Sequence, residues 1–174
     1  MARSQIKKEL SNVMQTKLWT NWMDYDKMNE TPVFTKMTPE KILNHMNTHN
    51  TELNNGKPSW KIFGLILAGK IIKQNQILCP TTVKLLSKIP NIINAGFSCL
   101  EPNVSTSMHK GYNDDIYRCH IPLVIPDGDC GIVIDGNIIR WKTNDYFIFD
   151  DTYYHKAWNY TKENRFVLII DIKK

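Results

Sequence analysis

Residues 116–172, IYRCHIPLVIPDGDCGIVIDGNIIRWKTNDYFIFDDTYYHKAWNYTKENRFVLIIDI, decide the fold. The stretch breaks into short apolar runs: Ile116–Ile125, Gly131–Ile134, Ile138–Trp141, Tyr146–Phe149, His155–Asn159 and Arg165–Ile172. Turn signals separate them, notably Pro126-Asp127-Gly128-Asp129 and Asp135-Gly136-Asn137. Many short β-rich runs punctuated in this way predict an all-β sandwich or barrel, here a jelly roll. Working outward, Ala95–Leu100 continues the pattern, and Trp60–Leu67 reads as a strand followed by a Gly-Lys turn. Pro80–Ile89 reads as a helix, with Pro80 early and Leu85 and Ile89 four residues apart. The expected class is therefore mainly β with helices flanking one face.

Residues 1–56 differ from the rest. They are polar, rich in Asn, Lys and Met, and punctuated by Trp19, Trp22 and Tyr25. Thr38 is placed to cap a helix that opens at Pro39-Glu40, and Asn54-Asn55-Gly56-Lys57-Pro58 is a turn that marks a boundary. The expected organisation is an N-terminal helical or irregular segment, 1–56, packing on a β-rich core domain, 57–174. Trp19 and Trp22 are read as anchors that dock this segment.

The 174 residues are 42% apolar and 22% charged, a globular composition. No apolar run approaches the ~18 residues of a membrane helix, and the first residues lack the apolar core of a secretory signal. These features predict a cytoplasmic protein without membrane partners. Net charge is +5, but the basic residues are scattered, and no stripe of the kind that binds nucleic acid is visible. Cys79, Cys99, Cys119 and Cys130 form no close pair, so they read as reduced, buried thiols rather than a zinc site or disulfide framework.

Three histidines, His109, His120 and His155, lie in the β region, where a jelly roll can bring distant strands to one metal ion. Arg118 and His120 are two apart and share a strand face. Arg165 opens the apolar run Phe166–Ile170, so a buried guanidinium there needs an anion. That anion is either a protein carboxylate such as Asp150 or Asp151 or the carboxylate of a small ligand.

The segments His120-Ile-Pro-Leu-Val-Ile-Pro126, Cys130-Gly-Ile132, Trp141 and Phe149-Asp-Asp-Thr-Tyr-Tyr-His155-Lys-Ala-Trp-Asn159 closely resemble the aspartyl/asparaginyl β-hydroxylase family. The likeness continues from Arg165 to Asp171 and upstream through Trp60, Phe63, Leu65, Gly69, Cys79-Pro80 and Phe97-Ser98, so it spans roughly 57–172. It implies a double-stranded β-helix, cupin-like in form, and an iron(II)- and 2-oxoglutarate-dependent dioxygenase that uses O2. By resemblance, His109 and His155 are the iron ligands and catalytic centre. Arg165 pairs with the C5 carboxylate of 2-oxoglutarate and Ser98 reaches the same group. Arg118 and His120 face its C1 side and neighbouring polar groups. The residues alone would also allow His120 as ligand in place of His109.

Many iron oxygenases add a carboxylate two residues after the first histidine, but here that residue is Gly111. The gap itself resembles this family, whose iron is held by two histidines. Asp114 and Asp115 are the alternative sources of an acid. The chain also departs from the family at Met108, where proline is usual, and at Pro122, where glycine is usual. The implied substrate is the β-carbon of an Asp or Asn residue in a peptide or protein. The alternatives are the same chemistry on a lipid acyl chain or free amino acid, or a non-catalytic cupin-like binding module. Oligomeric state is not legible. His45 and His49 read as a solvated helix face, and Asp150-Asp151 as residues shaping the loop before His155.

Overall fold

The computed structural model describes residues 2–21, 59–111 and 114–174. Its elements are α1 (Ala2–Val13), β1 (Thr20–Asn21), β2 (Trp60–Leu67), β3 (Lys70–Ile71), α2 (Lys73–Leu78) and α3 (Pro80–Leu86), then eight strands. These are β4 (Ile92–Leu100), β5 (Val104–Ser105), β6 (Ile116–Val124), β7 (Cys130–Ile134), β8 (Asn137–Ile139), β9 (Phe147–Asp150), β10 (His155–Asn159) and β11 (Arg165–Lys173). The helix opening at Pro39, the turn at 54–58, and Trp22, Tyr25, His45 and His49 lie outside the described residues.

The last eight strands pair in a nested order. β4 pairs with β11, β5 with β10, β6 with β9 and β7 with β8, all antiparallel. Further pairing of β6 with β11 and of β7 with β10 gathers them into a seven-stranded sheet, β1-β2-β4-β11-β6-β9 with β3 beside β2, and a four-stranded sheet, β5-β10-β7-β8. This first-with-last pairing is the jelly roll that the sequence predicts. The two-residue link between β7 and β8 is Asp135-Gly136, with φ of 47° and 76°, the left-handed pair that a tight hairpin demands.

Strand alternation divides the seven-stranded sheet into two faces. One carries Phe63, Leu65, Phe97, Phe166, Leu168 and Ile170 against Ile6, Leu10 and Val13 of α1 and Val83 and Leu86 of α3. Trp19 joins this core, its ring 5.7 Å from Phe63 and 5.8 Å from Phe166, with its indole N–H donating to Val13 O at 2.8 Å. It therefore anchors the N-terminal stretch as expected. The carboxylate of Glu9 caps α3, accepting from Thr81 N, Thr82 N and Thr82 Oγ1. The other face meets the four-stranded sheet through Leu100, Ile132, Ile134, Phe149, Val167 and Ile169.

All four cysteines are free and buried. Burial pushes the thiols of Cys79 and Cys99 up to about 12 and that of Cys119 to about 11, which keeps them protonated and inert. Helix α3 ends at Leu86 rather than Ile89, because Pro90 disfavours helical backbone just before it. Strand β8 ends at Ile139, leaving Trp141 outside the ladder and its indole in the core between the sheets. Among the described residues no helix is long and apolar enough to cross a membrane.

Candidate active site

One cavity between the two sheets is lined by Ser98, His109, Arg118, His120, His155 and Arg165. All six residues singled out from the sequence therefore meet. Trp60, Thr106, Ile132, Ala157 and Ile169 complete the lining.

His155 opens β10. His109 reaches it from the segment after β5, through a two-way backbone bridge: His109 N donates to His155 O at 3.0 Å and His155 N to His109 O at 2.8 Å. The imidazole rings stand 4.3 Å apart, edge to face. Each Nδ1 lies against a carbonyl two residues back, Ser107 O at 2.8 Å and Tyr153 O at 2.9 Å. A ring that donates from Nδ1 presents the lone pair of Nε2, the arrangement a metal-binding histidine needs. Burial, and then the neighbouring His109, push the His155 pKa down to about 3, so it is neutral at physiological pH.

A carboxylate also approaches this pair, although none follows His109. Asp151 is fully buried, and its Oδ1 lies 3.7 Å from His155 Nε2. A Cβ on residue 111 would overlap the Asp151 carboxylate, so glycine there makes the room that Asp151 occupies. Burial raises the Asp151 pKa to about 6 against the opposing pull of Arg118. Asp151 was read from sequence, with Asp150, as shaping the loop before His155. That description holds for Asp150, which accepts from Thr152 and Lys174. The local signal for Asp151 is its place four residues before His155, together with Gly111. Asp114 and Asp115 do not line the cavity: Asp114 is exposed and Asp115 pairs with Lys173 at 3.7 Å.

The two arginines differ. Arg118 on β6 sits directly opposite Asp171 on β11 and grips it in a fork, Nε to Oδ1 at 2.8 Å and Nη2 to Oδ2 at 3.0 Å. Its Nη1 lies 3.1 Å from Asp151 Oδ1. Arg165 opens β11, is 2% exposed, lies 4.9 Å over the Trp141 ring and donates from Nη1 to Ser98 Oγ at 3.3 Å. Its Nε has no hydrogen-bond partner. Among the described residues no carboxylate pairs with it, since Asp150 holds Lys174 and Asp151 and Asp171 hold Arg118. Burial lowers its pKa only to about 10, so the charge remains.

Ser98 Oγ accepts from Arg165 and from Trp60 Nε1 at 2.8 Å. With both lone pairs used, its own O–H can donate into the cavity. His120 stacks on Trp141 at 6.1 Å and lies against Phe147 and Phe149, 5.2 and 5.6 Å away. Burial, then Arg165 and Arg118, hold its pKa well below the ordinary value, so it is a neutral imidazole. Trp60 and Asp151 were not picked out as site residues, because both depend on which strands neighbour one another.

A model of the aspartyl/asparaginyl β-hydroxylase family matches residues 2–174. The chain belongs to this family. As a member of it, the protein is 36% identical over 117 residues to the ornithine lipid ester-linked acyl 2-hydroxylase of Rhizobium tropici, a match covering 66% of this chain and 42% of that protein. It is 28% identical over 124 residues to the human aspartyl/asparaginyl β-hydroxylase, covering 67% and 16%. The chain thus spans less than half the length of these relatives. Among solved structures, the cupin domain of Schizosaccharomyces pombe Cnp3 overlaps with a TM-score of 0.45 at 14% identity, covering 66% of this chain and 61% of that one.

Proposed function

We propose that the protein is an iron(II)- and 2-oxoglutarate-dependent dioxygenase that hydroxylates an unactivated C–H bond. The observation that carries this reading is Arg165, a buried cation beside the paired imidazoles that no carboxylate among the described residues pairs with. An unpaired buried charge is costly, and a small dicarboxylate entering the cavity would relieve that cost.

The donor set fits iron(II): two imidazoles whose Nδ1 atoms lie against backbone carbonyls, and a buried carboxylate nearby. His109 and His155 would hold the ion, and Asp151 would accept a hydrogen bond from water beside it. When bound, iron supplies the oxidation that couples loss of CO2 from 2-oxoglutarate to hydroxylation. One oxygen atom of O2 goes to succinate and the other to the substrate carbon.

The chain's own groups bind and orient. Arg165 takes the far carboxylate of 2-oxoglutarate in a charge-assisted pair, and Ser98, set by Trp60, donates a second hydrogen bond to it. His120, kept neutral, offers an imidazole to the other end. Arg118 is committed to Asp171 and Asp151, so it acts on the neighbouring acid more than on the cosubstrate. Trp60, Ile132, Ala157 and Ile169 exclude water from the reacting atoms. By family, the substrate is the β-carbon of a peptide Asp or Asn residue; the Rhizobium relative points to an acyl carbon instead. No nucleic-acid or membrane partner is part of the proposal, and its place of action is cytoplasmic.

The test is cosubstrate turnover. Iron-loaded protein should convert 2-oxoglutarate to succinate, and His155→Ala should reduce the rate by at least 100-fold. A wild-type protein that forms no succinate under oxygen, with iron and ascorbate, would contradict the reading.

A further inference from the structure

Arg165 and His120, which take the two ends of the dicarboxylate in the reading above, share a neighbour that does not itself line the cavity. Trp141 comes two residues after the end of β8. The residue before it, Arg140, turns outward, where it pairs with Asp129 at 2.8 Å and lies 5.0 Å over the Trp158 ring. Trp141 turns inward and is 6% exposed.

One indole serves both groups. The Arg165 guanidinium lies 4.9 Å over it, and the His120 imidazole stacks nearly parallel to it, with 6.1 Å between centroids and 10° between planes. Both separations are those of attractive contact. Phe147 and Phe149 hold His120 from two further directions, at interplanar angles of 43° and 75°. The indole N–H is buried and, among the described residues, has no hydrogen-bond partner. An unsatisfied buried donor is costly. Phenylalanine would avoid that cost but would offer two stacked partners a much smaller face.

We propose that Trp141 is a positioning residue that sets the separation between the Arg165 guanidinium and the His120 imidazole, and so fixes the length of the dicarboxylic acid the cavity accepts. The inference rests on the cosubstrate reading above. With both ends of the acid held, one extra methylene puts a carboxylate out of register with its partner.

The experiment uses the full chain with Mn(II) in oxygen-free buffer. It is titrated by calorimetry with 2-oxoglutarate and with 2-oxoadipate, which is one methylene longer. Wild type should bind 2-oxoglutarate more tightly by about tenfold or more, the ordinary worth of one methylene in a fitted site. In Trp141→Leu, which removes the ring, the ratio of the two affinities should fall by about fivefold or more, and in the milder Trp141→Phe by about threefold. A side chain that only fills the core would weaken both acids together and leave the ratio alone. An unchanged ratio in variants whose circular dichroism shows them folded would therefore overturn the proposal, with Trp141→Phe deciding if Trp141→Leu does not fold. So would a wild type that binds the two acids equally. A wild type that binds neither acid would overturn the cosubstrate reading as well. Length selection that responds to Trp141, in a protein that forms no succinate, would uphold the proposal and overturn the oxygenase reading.

Discussion

Arg118 and Arg165 line the same cavity, 3% and 2% exposed, yet their surroundings are opposite. Arg118 has two carboxylates within 3.1 Å, one from the strand beside it and one from the loop after β9. Arg165 has a serine hydroxyl and an indole face. A buried cation surrounded by its own anions belongs to the architecture. One that no carboxylate among the described residues pairs with costs stability, a cost that the dicarboxylate proposed above would offset. The two arginines thus separate what holds the site together from what the site is for.

The largest effect that can break this comparison is on Arg118. Asp171→Ala leaves its guanidinium with half its compensation, and the loss should be about 3–5 kcal/mol in urea unfolding. A loss below 1 kcal/mol would mean that Arg118 does not depend on the pair.

A third buried charge gives an intermediate reference. Glu9 is satisfied by neutral donors: burial raises its pKa, but the hydrogen bonds from Thr82 and Thr81 outweigh this and leave it below 4.5. A carboxylate with a lowered folded pKa contributes fully above the unfolded value and loses that contribution as pH falls through the folded one. Glu9→Gln should therefore cost about 1 kcal/mol at neutral pH. It should also flatten the decline of stability below about pH 4.5, the unshifted value, in urea midpoints measured between neutral and acid pH. The same acid slope in wild type and variant would assign it to other groups.

The smallest effect is expected at Arg165. Arg165→Met removes a charge that no carboxylate among the described residues pairs with, so unfolding free energy without ligand should stay within about 1 kcal/mol or rise. A loss as large as that of Asp171→Ala would make Arg165 structural after all.

Much of the fold was legible because strand period and turn chemistry are local. Trp60–Leu67 and His155–Asn159 are read with the bounds the structure has, and Asp135-Gly136 marks its hairpin. Helix α1 went unread although Ile6, Leu10 and Val13 stand at i, i+4 and i+7. Its surrounding polar residues hide that stripe unless the period is counted. The two-residue β5 leaves almost no pattern to see. The site residues were reached through histidine and arginine chemistry joined to a family resemblance. What stayed hidden depends on strand order. That Asp171 faces Arg118 follows from β6 lying beside β11, and that Asp151 fills the space over Gly111 follows from the meeting of two loops. Neither relation has a sequence spacing.

The central claim is that His109, His155 and Arg165 form one site for a metal ion and a dicarboxylate. Calorimetric titration of 2-oxoglutarate into the protein, with and without Mn(II) and in oxygen-free buffer, tests it most directly. The account predicts saturable binding that needs the metal and weakens by about 30-fold or more in Arg165→Met, a loss of roughly 2 kcal/mol or more as expected for a charge-assisted pair. Equal affinity with and without metal, or an affinity indifferent to Arg165, would contradict it.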